Sequence, residues 1–382
     1  MLALFLVATL ALLAIWLLYP LAVRLAGAAR GKQPDASGAE GEPAGGTPTV
    51  TAVVASRDDA PAIADRVVDL LAADYDPARL GVVVSLDRGA RATAEELRSL
   101  VTSRCPGRAV TVVQGDEPGG KASALNAAIR AATGEILVFT DTHQRFHSDA
   151  VRRLVDFLAA RPQFGAVSGA LDLGVAPAGA AEGATLAERY WSYEKRVRSD
   201  EARVHSTVGV TGAIYAMRRA LWSPLPAGVI LDDVYTPMRL VLEGHRVGFV
   251  DEARAVDTRR FGSGQEYRRK VRTLTGVIQL CAWLPAVLVP VRNPIWLQFL
   301  FHKLLRLLTP YIAIVAALAA VGVVWQRFGP APILAALFVA ALAAVLPRVG
   351  PRVRGLVVWG VTLQAAIVVA TVNGLRGRWN VW

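Results

Sequence analysis

The chain has 382 residues, 53% of them hydrophobic, with a mean hydropathy of +0.38 and a formal net charge of +11. It is too apolar for an ordinary soluble domain and too polar for a pure membrane bundle, so one soluble domain plus membrane segments is expected. The positive balance reads as arginine- and lysine-rich loops beside a bilayer rather than as a nucleic-acid footprint, and no nucleic-acid partner is expected.

Residues 2–23 form an unbroken apolar run, enough to cross ~30 Å of hydrocarbon. A cleaved signal would have a shorter apolar region preceded by positive charge. Here the first positive charges, Arg24, Arg30 and Lys32, follow the run. The expectation is an uncleaved helix over 1–28, N-terminus outside, with the next domain in the cytoplasm. Residues 29–48, rich in Gly, Ala, Pro and Ser, read as a flexible linker. Over residues 49–262 short apolar runs alternate with helical patterns: "VTAVVAS", a helix over 60–72, "LGVVVSLD", a helix over 93–103, "AVTVVQ", a helix over 121–132, then "EILVFTD". This alternation predicts an α/β domain with a mostly parallel sheet and helices on both faces. Ligands of such sheets bind beyond the carboxyl ends of the strands, where Asp58, Asp87, Gly115 and Asp141 fall.

Beyond residue 262 the character changes. Residues 276–290 are apolar but short and broken by Pro285, so residues 263–303 read as interfacial amphipathic helices. Residues 307–325, 331–346 and 355–372 are three candidate spans of a C-terminal membrane region over 304–382. Arg348, Arg352 and Arg354 place the last connecting loop inside. Three full crossings would then leave the arginines of "LRGRWNVW" outside, so either 331–346 is re-entrant or 276–290 crosses. Cys105 and Cys281 lie far apart and belong to no paired ligand motif, which reads as two free thiols in a reducing compartment.

Six stretches carry residues suited to chemistry, each with a plainer reading beside it. Asp58 and Asp59 follow the first strand and either contact a ligand or cap a helix. Asp87 could accept from a base N–H or ribose hydroxyl, or serve a turn. In "EPGGKASALN" the glycines allow close backbone approach and Lys121 opens a helix, although P-loop spacing is absent; a Gly-Gly turn with a solvated lysine is the alternative. In "FTDTHQRF", Asp141 and His143 share a face and could reach one cation, or line a polar loop. Asp232 and Asp233 precede an amphipathic helix; capping accounts for one acid and leaves the other free to act as a base. "SGQEYRRKVRTLTG" concentrates Arg268, Arg269, Lys270 and Arg272, either as a positive-inside stretch or as a clamp for a diphosphate.

Taken in order, "GGKASALNAAI", "ILVFTD", "AVSGAL", "VTGAIYAMRRALW", "LDDVYTPMRLVLEGHRVGF" and "EYRRKVRTLTG" resemble the membrane-bound inverting family-2 glycosyltransferases. That group includes hyaluronan, chitin and cellulose synthases, and the smaller bacterial exopolysaccharide members are most alike. The resemblance implies a GT-A type α/β fold and transfer of a sugar from a nucleotide-sugar donor, most often a UDP-sugar, with inversion. The acceptor would be a glycan or lipid-linked. It implies a divalent cation, Mn2+ or Mg2+, and a multi-pass protein of the bacterial plasma membrane with its catalytic domain in the cytoplasm. By matching positions, Asp58 and Asp59 lie at the uridine end, Asp87 at the base or ribose, and Lys121 near the donor. Asp141 is the first acid of the metal–diphosphate element, and His143 stands in place of its second acid. Asp233 is the catalytic base and Asp232 its partner; Gln265 and Arg268 fit a Q-x-x-R-W motif. Arg269 replaces the Trp of that motif, which favours single addition to polyprenyl phosphate or a glycolipid over long-chain synthesis. A self-made polysaccharide pore is left open by about three C-terminal spans, and a homo-oligomer could complete one. A non-catalytic scaffold or nucleotide sensor is the reading from another class; the presence of Asp141 and Asp233 argues against it.

Overall fold

A computed structural model describes residues 1–30, 46–173, 182–258, 263–345 and 350–379. Most of the linker expected over 29–48 lies outside these residues, as do the last residues of the C-terminal tail.

The catalytic-size domain is built on strands β1 (Val50–Ser56), β2 (Leu80–Leu86), β3 (Val110–Gln114), β4 (Ile136–Thr140), β5 (Gln144–Phe146), β6 (Phe164–Leu173), β7 (Tyr215–Arg218) and β8 (Arg246–Asp257). They form one sheet in the order β3-β2-β1-β4-β7-β6-β8-β5. The first four strands are parallel, with Val53 paired to Val83 on one side and to Phe139 on the other. The expectation of a mostly parallel sheet holds for this half and for β6 and β8, which also pair in parallel. β7 arrives from the opposite end and runs antiparallel to both β4 and β6, and β5 is antiparallel to β8. The βαβ alternation on which the expectation rested stops at β4, so nothing local in the sequence dictated the direction of β7.

Side-chain alternation explains the layers. Val53, Val83, Leu137 and Phe139 face one cluster, whereas Ala52, Val54, Val82 and Val84 face another. The first face is covered by helices α4 (Lys121–Ala131) and α7 (Asp232–Leu242). The second is covered by α2 (Ala60–Leu71), α3 (Ala94–Arg104) and α5 (Ala150–Ala159). Helix starts follow the expected chemistry: Asp59 accepts from the Ala62 N–H at 3.0 Å, and Thr93 from that of Glu96 at 3.2 Å. In strand order, β1 is flanked by β2 and β4, the point where the winding direction reverses and where such sheets bind ligands.

Outside the sheet lie α1 (Leu2–Ala29), α6 (Glu182–Val204), α8 (Ser263–Trp283), α9 (Trp296–Phe328), α10 (Ala331–Val345) and α11 (Gly350–Leu375). Of these, α1 and α9 are long and apolar enough to cross a bilayer. The 15 residues of α10 rise only about 22 Å, short for a straight crossing. The boundary drawn at residue 303 falls inside α9, which is continuous from Trp296 and carries a π-helical turn at Leu300–Leu304. The core is continuous there as well, since Val277, Leu280, Phe299 and Leu307 belong to the cluster that holds Val53 and Phe139. α1 packs along α9 and α6 rather than standing apart.

A buried ionic knot fixes this junction. His302 on α9 is clamped between two carboxylates of α6, with Nε2 2.9 Å from Glu194 and Nδ1 2.7 Å from Glu201. Glu201 also accepts from the Tyr19 hydroxyl on α1, and Glu194 from Arg306. Burial alone would raise the Glu194 pKa, but the charge of His302, its hydrogen bond and Arg306 hold it well below the usual carboxylate range. A depressed folded pKa adds stability that is present above the unfolded value and lost as pH falls through the folded one. Removing one partner of such a pair strands the other charge in the core. Glu194→Ala is therefore expected to cost ~3–5 kcal/mol, seen as a lowered denaturation midpoint, while Glu194→Gln restores part of it.

Candidate active site

The loops at the carboxyl ends of β1, β2 and β4 meet. Ser56 and Thr142 hydroxyls are hydrogen-bonded at 2.8 Å, and His143 Nε2 lies 3.2 Å from Asp58 Oδ2. Burial acts to raise the Asp58 pKa, but the Thr142 hydrogen bond and the nearby His143 hold it below its ordinary value. Arg91 reaches Asp58 at 3.0 Å and Asp59 at 3.8 Å. Asp59 meanwhile caps α2, so it serves a helix end whatever else it does.

Asp87 is buried, and its carboxylate accepts from Arg57, from the Arg88 N–H at 2.8 Å and from the Gly120 N–H at 2.7 Å. Burial pushes its pKa up, but these donors, Arg57 first, bring it below the ordinary value. Gly119 and Gly120 have φ of +90° and +91°, the left-handed region that glycine tolerates. The Gly-Gly turn thus delivers a backbone donor to Asp87 and then starts α4 with Lys121 at its first position.

Lys121 is where two parts of the site converge. Its Nζ lies 3.1 Å from Asp141 Oδ1, at the end of β4, and 3.4 Å from Asp232 Oδ2, at the start of α7. Burial would lower the lysine pKa; the charges of Asp141, Asp232 and Asp233 overcome it and raise it. Next to this corner the Asp233 carboxyl is pushed up, by burial first and then by the charge of Asp232, against the opposing pull of Lys121 and Arg198. Gly212 makes room for Asp233: a Cβ there would stand 3.3 Å from the Asp233 Cβ. The Val210 N–H donates to the Asp233 carbonyl at 2.9 Å, tying the same loop to α7.

Lys121, Asp141, Asp232 and Asp233 are therefore brought together, and Asp58 and His143 form a second pair beside them. Asp141 and His143 have different partners, Lys121 and Asp58. Arg268 is exposed on α8 and makes no hydrogen bond or ion pair among the described residues. Gln265 sits in the first turns of α8, and its side chain lies outside the described residues. Tyr215 went unread in the sequence. Its ring stacks on Phe139 at 4.3 Å, and its buried hydroxyl has no partner among the described residues. Its pKa is raised by burial and by the charges of Asp232, Asp233 and Asp141, so an orphan donor belongs to the acidic corner. Local sequence carried no signal for this, because a Tyr in a strand reads as core.

Residues 48–281 match the family described as glycosyltransferase like family 2. The chain belongs to glycosyltransferase family 2. Among solved structures, this glycosyltransferase is similar to a mannosyltransferase, PcManGT, from Pyrobaculum calidifontis, described in complex with GDP-Man and Mn2+. The two are 24% identical with a TM-score of 0.71, over 97% of this chain and 99% of that one. The likeness in fold, GT-A-like in its α/β part, thus runs through the C-terminal helices as well. Glucosyl-3-phosphoglycerate synthase from Mycobacterium tuberculosis is a more distant neighbour, 17% identical with a TM-score of 0.41, over 62% of this chain and 79% of that one. No curated protein matches the chain.

Proposed function

We propose that this glycosyltransferase moves a sugar from a nucleotide-sugar, a UDP-sugar first, to a glycan or lipid-linked acceptor at a membrane, with inversion, in cell-surface or extracellular polysaccharide synthesis. The observation that carries this reading is the corner where the Lys121 ammonium lies between Asp141 and Asp232 with the half-buried Asp233 beside them. An ammonium between two carboxylates from different elements marks a position where positive charge is favoured. Asp141 and Asp232 are the carboxylates that would hold a divalent cation, Mn2+ or Mg2+, and no group of three metal-ligating side chains is found among the described residues. Bound there, the cation would offset charge on the departing nucleoside diphosphate.

The chain's own groups then divide the work. Lys121 stands beside the same diphosphate oxygens and shares their charge. Asp58 and Asp87 belong to the nucleoside end, where the Arg57 side chain, 54% exposed, yields its place on Asp87 to a base or ribose donor. Asp233 accepts the proton of an acceptor hydroxyl on the face opposite the leaving group, which inverts the sugar carbon. Tyr215 offers its unpartnered hydroxyl to the incoming charge. The apolar α1 and α9 support attachment to a bilayer, with the donor site on the cytoplasmic side.

The deciding experiment is a panel of nucleotide sugars incubated with purified protein and Mn2+, scored by nucleotide release. UDP-sugars are expected to give turnover, and GDP-mannose belongs in the panel because of the structural neighbour. No release from any donor would overturn the reading. Single addition to polyprenyl phosphate or a glycolipid is the second reading. Arg269 in the place of the family's Trp favours it, and product length on a gel separates the two.

A further inference from the structure

Residues 222–231, which lead into α7, form neither strand nor helix, so their buried backbone groups must find partners outside any ladder. Side-chain amides from two other helices supply them. Asn126 on α4 accepts from the Leu225 N–H at 2.9 Å and donates to the Leu225 carbonyl at 2.9 Å. Gln279 on α8, only 1% exposed, accepts from the Ile230 N–H at 2.9 Å and donates to the Gly228 carbonyl at 3.0 Å. Each amide thus grips the loop with both of its polar ends. The approach of α8 is close as well: a Cβ at Gly276 would stand 2.5 Å from Leu231 Cγ and 3.0 Å from Ile230 Cγ2. The C-terminal helix backs α8 in turn. A Cβ at Gly374 of α11 would stand 2.5 Å from Ile278 Cγ2, and Trp379 meets Trp283 edge to face with ring centroids 6.5 Å apart.

We infer that Asn126 and Gln279 are positioning residues that set where Asp232 and Asp233 stand. Both acids lie in the first turn of α7, and Leu231, at its N-cap, makes no side-chain capping bond. The helix therefore does not fix its own start, and the loop decides how its first turn emerges. α4 acts on both parts of the corner: Lys121 at its start meets the Asp232 carboxylate, and Asn126 further along holds the loop. Gln279 lies beside core residues Val277 and Leu280, where an amide is costly unless its ends are bonded, and both ends are bonded to this loop. A shift of about 1 Å in a reacting group costs up to about 10²-fold in rate. Asp58, Asp87 and Asp141 stand on other elements, so a loosened loop affects turnover before donor affinity. The inference rests on the proposed roles of Asp232 and Asp233 for its effect on turnover, and not for its effect on the loop.

The test combines hydrogen exchange with steady-state kinetics on the full-length protein in nanodiscs. In wild type the Leu225 and Ile230 amides are expected to be protected although they belong to an irregular loop. Gln279→Met and Asn126→Leu keep side-chain volume and remove the bonds. Each should speed exchange over residues 222–236 by about tenfold or more while the sheet stays protected. Each should lower kcat for nucleotide release by about tenfold at saturating Mn2+, and the double variant by about 10²-fold, with donor KM unchanged. A role in stability alone would lower the melting temperature and leave kcat intact below it. That outcome, equal losses in kcat and donor affinity, or fast exchange of Leu225 and Ile230 in wild type would each overturn the inference. A wild type with both amides protected that releases no nucleotide from any donor would instead overturn the proposed function, the clamps on the loop then being read from exchange in the variants.

Discussion

Asp233→Asn is expected to reduce sugar transfer by about 10²–10⁴-fold, the range a positioned general base contributes, while donor binding stays near that of the wild type. The reason lies in the geometry. Asp233 is half-buried, packed against Gly212 and outside the Lys121 ion pairs, so its loss leaves the Asp141–Lys121–Asp232 corner standing. The pH profile should carry the same signature. The base must be ionised, so kcat/KM falls as pH drops through the raised pKa of Asp233, with an acid limb above the ordinary 3.8. Stability moves the other way. A raised folded pKa means that the folded chain holds the proton more tightly than the unfolded one, so ionisation of Asp233 lowers stability as pH rises from the unfolded to the folded value, and the loss is complete above it. Asp233→Asn should then melt higher than wild type at neutral pH, and the difference should vanish in acid. Stopped-time nucleotide release, donor calorimetry and a melting series across pH read all three. Near-normal turnover in the variant would remove Asp233 from the role of base.

Chelation is the second large effect. EDTA is expected to stop nucleotide release and Mn2+ or Mg2+ to restore it, and Asp141→Ala to lower turnover by about 10²–10³-fold even at saturating metal. His143→Ala distinguishes two arrangements of the same corner. With the imidazole on Asp58, as the 3.2 Å contact has it, the loss should be about tenfold and the metal concentration for half-activity unchanged. A large rise in that concentration would instead make His143 a ligand, as the Asp-x-His spacing suggested. Full activity in EDTA would remove the cation from catalysis.

Asp141 shows how far one sequence can be read. A short apolar run followed by an acid marks a buried strand and its mouth, and β4 ends at Thr140. The Asp59 cap, the Gly-Gly turn before Lys121 and the four parallel strands were legible for the same reason: each is set by residues close together in the chain. The pairing of His143 was not. A period of two puts Asp141 and His143 on one face, but which acid the imidazole meets depends on the β1 loop, whose Asp58 is 85 residues away. The role of Asp87 changed in a similar way. Its carboxylate organises the Gly-Gly turn, a contact across 33 residues that neither stretch announces.

The sequence by itself determined the α/β half, its helix starts, the order of the acidic motifs and the two long apolar helices, because propensity, capping and periodicity act within a few residues. Only the tertiary structure decided the antiparallel entry of β7, the meeting of Asp141 and Asp232 at one ammonium, the orphan hydroxyl of Tyr215 and the buried His302 knot that joins α9 to α6. These depend on which surfaces bury each other. In a low-dielectric interior a charge is settled by its spatial neighbours and not by its neighbours in the chain.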